Sequence, residues 1–91
     1  MEELYTKLSE VFDEAFEQAS AGKGKERHAS EGVPFEEQPI GTITNYVGLG
    51  FPLGQAIKKI TESQRLSPDM ARAELLGAIN YIALAIIKGG E

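Results

Sequence analysis

Apolar residues recur every three or four positions along residues 2–20, EELYTKLSEVFDEAFEQAS. This spacing is typical of an amphipathic helix, because 3.6 residues per turn bring such positions to one side. The acidic residues fall mainly on the other side, and early acids suit the positive end of the helix dipole. The pattern predicts a first helix over residues 2–20 whose apolar stripe consists of Leu4, Tyr5, Leu8, Val11, Phe12, Ala15, Phe16 and Ala19.

The periodicity stops after Ala21, and residues 21–41 contain two prolines and four glycines. Proline and glycine at this density disfavour regular structure, so we expect a long loop between the first helix and the next element. A connection of this length is uncommon in a compact domain and is usually either functional or disordered. The sequence leaves both interpretations open.

The run ITNYV, residues 43–47, contains β-forming residues, but one strand without a partner cannot make a sheet, so a short helical turn is the better interpretation. Pro52 then suits the first turn of a new helix. Helical spacing places Lys58, Lys59 and Glu62 on its outer side. The predicted buried side of this helix consists of Leu53, Ala56, Ile57 and Ile60.

The last helix has clear boundaries, with Ser67 as N-cap, Pro68 at the first position and Lys88 before two glycines. Asn80 is the only strongly polar side chain in LLGAINYIALAII, residues 75–87. The run is too short for a membrane span, and Arg72 and Glu74 flank it. Two apolar stripes follow from the spacing, one with Ala71, Leu75, Ala78, Ile82 and Ala85, the other with Leu76, Ile79, Ala83 and Ile86.

A helix that is apolar nearly all round needs cover on nearly all sides. Because a chain of 91 residues has few other elements to provide it, we expect one stripe to face the same subunit and the other a second subunit. A single monomeric core is the alternative. The predicted fold is all-α: one domain, residues 1–91, with three main helices, a loop at about 21–41, and a long apolar C-terminal helix packing in a homo-oligomer.

Composition and charge restrict the function. The absence of cysteine excludes disulfides, thiolate zinc sites and thiol nucleophiles, and the acidic N-terminus does not resemble a secretory signal, so a cytoplasmic location is predicted. The net charge of −5 is concentrated in residues 1–20, which contain six acidic residues and one lysine. An extended nucleic-acid partner is therefore disfavoured. A small anionic ligand needs only a few local cations.

Glu10, Asp13, Glu14 and Glu17 lie at i, i+3, i+4 and i+7, which is one side of a helix. This pattern resembles the all-α nucleoside triphosphate pyrophosphohydrolases, and the resemblance implies a Mg²⁺ site and hydrolysis. Those enzymes have a second acidic pair on a later helix. Here AELLGAINY offers Glu74, but Gly77 stands where the later acid is expected. A solvated acidic surface is the commoner explanation, so no catalytic residue and no cofactor are assigned in the leading interpretation.

Several residues suit a phosphorylated ligand. Guanidinium and ammonium groups bind phosphate, a histidine can donate to it, and glycines before a helix N-terminus, as in GLGFPLGQ, expose main-chain donors. A single histidine cannot build a zinc site. The glycines match neither the Walker A nor the dinucleotide pattern, so a solvated loop and a tight turn remain the alternative. The candidate binding residues are Lys23, Lys25, Arg27, His28, Phe35, Thr42, Thr44, Asn45, Tyr46, Lys58 and Lys59.

The segments GKERHASEGVPFEEQPIG, GLGFPLGQAIKKITES and AELLGAINYIALAII resemble small proteins encoded by tailed phages and prophages, over roughly residues 22–87. No established activity comes with this resemblance, so no catalytic role is transferred. It favours a phage-type protein of the host cytosol, a homo-oligomer that sequesters a phosphorylated ligand without chemistry. A cyclic oligonucleotide or an ADP-ribose derivative that signals in host defence would fit. The alternatives are the pyrophosphohydrolase above, or an inhibitor or adaptor that binds a host protein through its acidic first helix.

Overall fold

The structure, a computed structural model, describes residues 2–21 and 32–91. These ranges are helical and contain no strand, which confirms the all-α prediction. Two short 3₁₀ helices, Glu2–Tyr5 and Phe35–Glu37, precede the first and second α-helices. The α-helices are α1 (Thr6–Ser20), α2 (Pro39–Val47), α3 (Gly50–Ser63) and α4 (Pro68–Gly89). The helix α2 is longer than the expected turn, so the described residues form four α-helices rather than three main ones.

The connection between α1 and α2 ends earlier than predicted. Residues 35–37 form a 3₁₀ helix and α2 begins at Pro39, two residues before the predicted loop boundary at about residue 41. The missed signal is Pro39 itself, because proline has the φ angle of a first helical residue and lacks the N–H that would be unpaired there. The N–H groups of Gly41 and Thr42 donate to the Gln38 carbonyl and close the first turn.

The turn between α2 and α3 depends on Gly48. Its φ of 90° and ψ of −177° lie in a region that side-chain-bearing residues avoid. The Gly48 N–H donates to the Thr44 carbonyl at 2.7 Å, and the Gly48 carbonyl accepts from Phe51 N–H at 3.2 Å. Pro52 lies in the first turn of α3, as predicted, and is buried.

The helices α3 and α4 form an antiparallel hairpin. Lys59 in the second half of α3 contacts Glu74 near the start of α4. Phe51 at the start of α3 contacts Tyr81, which lies further along α4. The two helices approach through small residues, because side-chain size sets the distance between helix axes. The buried residues of these helices are Pro52, Ala56, Ser63, Gly77, Ala78, Leu84 and Ala85.

This mode of packing overturns the predicted orientation of α3. Ala56 is buried as expected, but Leu53, Ile57 and Ile60 are exposed, and Lys59, expected outside, is half-buried against α4. The helix is rotated so that its small residues face α4. Leu84 and Pro52 are the largest fully buried side chains among the described residues, so the interior contains few large groups.

The helix α1 packs on another side of α4 and also uses a small residue, Ala15, which is 2% exposed. Polar contacts join the two helices: Gln18 Nε2 donates to the Ala73 carbonyl at 3.1 Å, and Arg72 pairs with Glu14. The amphipathic helix is confirmed, but most large residues of its stripe lie outside this contact.

Among the described residues, α4 is the one helix long and apolar enough to cross a membrane by length and composition. Core helices of soluble proteins meet the same criterion. Ion pairs join α4 to both neighbouring helices, through Arg72 to α1 and through Glu74 to α3.

Candidate functional site

The predicted phosphate-binding cations Lys23, Lys25 and Arg27, together with His28, lie outside the described residues. Phe35, another of the candidate binding residues, begins the 3₁₀ helix before α2 and is half-buried. The remaining candidates are distributed over α2 and α3.

One side of α2 presents polar and aromatic groups to solvent. Thr42, Asn45 and Tyr46 follow the i, i+3, i+4 spacing that places side chains on one side of a helix, and all three are exposed. Tyr46 is 84% exposed. Thr44 differs, because it is buried and its hydroxyl donates to the Ile40 carbonyl at 2.8 Å. The structure thus gives Thr44 a packing position within the helix.

The adjacent lysines of α3 point to different surroundings. Lys58 is exposed. The Nζ atom of Lys59 lies 3.4 Å from Glu74 Oε2 and 5.9 Å from the centre of the Tyr81 ring. A Cβ on Gly77 would lie 3.1 Å from the Lys59 side chain, so the glycine leaves room for the lysine to cross α4. Lys59 is thus engaged within the chain, whereas Lys58 is directed to solvent.

Tyr81 is part of the same contact between α3 and α4. Its ring meets that of Phe51 edge to face, with the ring centres 6.1 Å apart. Burial raises the pKa of the Tyr81 phenol above its ordinary value, because the charged phenolate is disfavoured away from water. The phenol is therefore neutral at physiological pH and acts as a packing group.

The four carboxylates considered for Mg²⁺ all lie on α1 and are exposed. Glu14 pairs with Arg72 of α4. No group of three or more histidine, aspartate or glutamate side chains within the described ranges is arranged to hold a metal ion. Among the described residues, the acidic surface formed by Glu10, Asp13, Glu14 and Glu17 has one ion pair, that of Glu14 with Arg72.

An open groove of about 580 Å³ runs between the second half of α1 and the start of α4. Its walls carry more negative than positive charge, with Arg72 as the one cation. Sequence reasoning missed this groove, although an arginine in an apolar helix and acids on α1 were a signal for ion pairing between the two helices. The lining residues are Asp13, Glu14, Glu17, Gln18, Asp69, Arg72, Ala73 and Leu76.

Within the described ranges, two groups of large apolar side chains are exposed. The first, which we call the α1 face, is formed by Tyr5, Leu8, Phe12 and Phe16. The second, which we call the hairpin face, is formed by Leu53, Ile57, Ile60, Leu75, Ile82 and Ile86. Large exposed apolar patches are uncommon on monomeric proteins and mark sites of association.

Comparison with known proteins gave no match to a protein-family model, a curated protein or a solved structure.

Proposed function

We propose that this protein is a helical binding module that acts by docking the α1 face on a partner protein. The supporting observation is the row of Leu8, Phe12 and Phe16 at i, i+4 and i+8, between 51% and 71% exposed, on a helix whose packing contact uses Ala15. Aromatic side chains carry a large share of binding energy at protein interfaces. A row of exposed side chains that contains two aromatic rings favours a binding role.

The chemistry of the partner follows from the groups beside the α1 face. Glu10, Asp13 and Glu17 are exposed on the same helix, and residues 1–20 carry six acids and one lysine. An amphipathic helix commonly inserts its apolar side into a hydrophobic groove. Charge complementarity speeds such an encounter and disfavours acidic partners. The expected partner is a protein with an apolar groove bordered by lysine and arginine side chains.

The first experiment compares the proteins captured by the intact chain with those captured by a Phe12→Ala/Phe16→Ala variant. Both are incubated with a lysate of the cells that naturally produce this protein, and the captured proteins are quantified by mass spectrometry. The matched control is Ile43→Ala/Val47→Ala, which removes exposed apolar groups from α2 instead. A partner of the α1 face is retained by the control and lost by the α1 variant. Identical capture profiles for all three proteins would exclude the proposal.

A second experiment uses the purified partner and measures affinity by calorimetry at low and high salt. Neutralising Glu10, Asp13 and Glu17 to their amides should weaken binding at low salt and reduce the salt dependence. Binding that is unchanged by neutralisation would show that the acids do not take part.

A second candidate function is sequestration of a small phosphorylated ligand, such as a cyclic oligonucleotide or an ADP-ribose derivative, by a phage-type protein in the host cytoplasm. The supporting observation is the exposure of Tyr46, at 84%, beside Thr42 and Asn45 on α2. An exposed ring can stack on a base, and neighbouring polar groups can bind its edge. In this proposal Lys25 and Arg27 contact the phosphates.

Calorimetry with linear and cyclic nucleotides and with ADP-ribose tests this second function. Replacing Tyr46 with alanine should weaken binding by roughly 5-fold to 150-fold, since stacking on one base is worth about 1–3 kcal/mol. Tyr5→Ala is the control, because Tyr5 is exposed on the α1 face. Absence of binding to every nucleotide would remove this candidate and leave the protein-docking proposal unaffected.

A further inference from the structure

The hairpin face has a different composition from the α1 face. Its six side chains are all leucine or isoleucine, and each is between 42% and 71% exposed. It belongs to α3 and α4, the two helices that contribute most of the buried residues. Burying such side chains is favourable by about 25 cal/mol for each Å² of apolar surface removed from water.

Helical geometry places these six residues on one side of the hairpin. Lys59 crosses Gly77, and Phe51 meets Tyr81, on the opposite side. Each residue of an α-helix is rotated by about 100° from the one before it. Because α3 and α4 are antiparallel, the same rotation carries Leu53, Ile57 and Ile60 of α3 and Leu75, Ile82 and Ile86 of α4 to one common side.

We propose that the hairpin face is the interface of a homodimer, in which two hairpins form a four-helix bundle. The spacing favours a second copy of this chain as the occupant. Leu53, Ile57 and Ile60 lie at i, i+4 and i+7, and Leu75, Ile82 and Ile86 at i, i+7 and i+11, which is the heptad pattern of helix bundles. A surface with this repeat on both helices can pack against its own image across a two-fold axis.

The size of the face agrees with the size of a stable dimer interface. The helix α3 has 14 residues and α4 has 22. They are therefore about 21 Å and 33 Å long, with axes roughly 8–10 Å apart. Two such helices present a surface about 20 Å wide and 20–30 Å long, or roughly 400–600 Å² in projection. The exposed side chains that rise from it add accessible area, which brings it to the lower part of the standard range of roughly 600–1,000 Å² per partner.

The interior of the single chain gives an independent reason for association. Its buried hydrophobic residues, within the described ranges, are four alanines and Leu84. Small domains have a high surface-to-volume ratio and gain little from such a core. Joining two hairpin faces would place twelve leucine and isoleucine side chains in one shared interior. This interface does not involve the α1 face, so the two proposals can fail separately.

The test measures association of the full chain by sedimentation velocity and native mass spectrometry. The wild-type protein should have twice the 9.9 kDa chain mass at micromolar concentration. The variants Ile57→Glu and Ile82→Glu should dissociate, with the dimer dissociation constant raised on the order of 100-fold or more, since a charge would be buried unpaired. The matched control Phe12→Glu, on the α1 face, should remain dimeric.

A monomeric wild-type protein at 100 µM would overturn the proposal, as would a dimer that Phe12→Glu disrupts and Ile57→Glu does not. Flotation with phosphatidylcholine vesicles tests a lipid occupant: co-flotation of wild-type protein, lost in Ile57→Glu, would also overturn it. If circular dichroism shows that the glutamate variants are unfolded, the concentration dependence of the wild-type Tm tests the interface instead. A dimer shows a Tm that rises with protein concentration, and a constant Tm rejects the interface.

Discussion

The Nδ2 atom of Asn80 donates a hydrogen bond of 2.9 Å to the main-chain oxygen of Ala15. Asn80 is the one strongly polar residue of the apolar run 75–87, and Ala15 is the buried residue of α1. The bond therefore joins the two helices at the position where they come close. It explains why an amide is present in an otherwise apolar segment, since this bond adds to the contacts of Gln18 and Arg72 that hold α1 on α4.

Replacing Asn80 with alanine should destabilise the protein by about 0.5–1.5 kcal/mol, the usual net value of one hydrogen bond. For a domain of this size the Tm should fall by roughly 4–8 °C for each kcal/mol. Thermal denaturation at one protein concentration measures the change. The control is Asn45→Ala, because Asn45 is exposed on α2. Equal losses in both variants would contradict a specific role for Asn80.

Gly41 should not tolerate a side chain. A Cβ at this position would lie 1.8 Å from the main-chain oxygen of Glu36, so the 3₁₀ helix could not approach α2. Gly41→Ala should cost about 1–3 kcal/mol. Gly54→Ala is the control, since nothing lies within 4 Å of its Cβ position in α3, and it should stabilise by about 0.5–1 kcal/mol. Urea denaturation gives both values, and a neutral Gly41→Ala would show that the contact is absent.

Stability should fall at alkaline pH because of Tyr81. Burial raises the pKa of its phenol in the folded protein. The folded state therefore holds this proton more strongly than the unfolded state. The resulting stabilisation is complete below the ordinary pKa of about 10 and is lost as the pH rises through the folded pKa.

The measurement is Tm between pH 8 and pH 11 for the wild-type protein and for Tyr81→Phe. The wild-type Tm should decline more steeply above pH 10 than that of the variant. Absorbance at 295 nm should show one tyrosine whose ionisation is delayed to higher pH, and this step should be missing in Tyr81→Phe. Parallel Tm curves would mean that Tyr81 is not protected from ionisation.

The ion pair between Glu14 and Arg72 should make a small contribution that depends on salt. Both side chains are about half exposed, and such pairs contribute roughly 0.2–1 kcal/mol. Glu14→Gln should lower stability within this range at low ionic strength and less at 1 M salt. Glu10→Gln is the comparison on the same helix. A loss that is independent of salt would point to a different role for Glu14.

The sequence alone was sufficient for the helical class and for most helix boundaries. Pro68 and Lys88 mark the ends of α4, and the apolar period of residues 2–20 identifies α1. These features are local, since helix formation and termination depend on neighbours within a few residues. The candidate binding residues were less predictable. Thr44 and Lys59 are polar residues with interior contacts that no local pattern reveals.

Only the tertiary structure decided which side of each helix packs inside the chain. The apolar arcs of α1 and α3 are wide, and periodicity does not show which part meets a neighbouring helix of the same chain. Close approach of the helices selected Ala15 and Ala56 and left Phe12 and Ile57 outside. Small side chains allow short distances between helix axes, whereas large ones on the outer faces remain available for association.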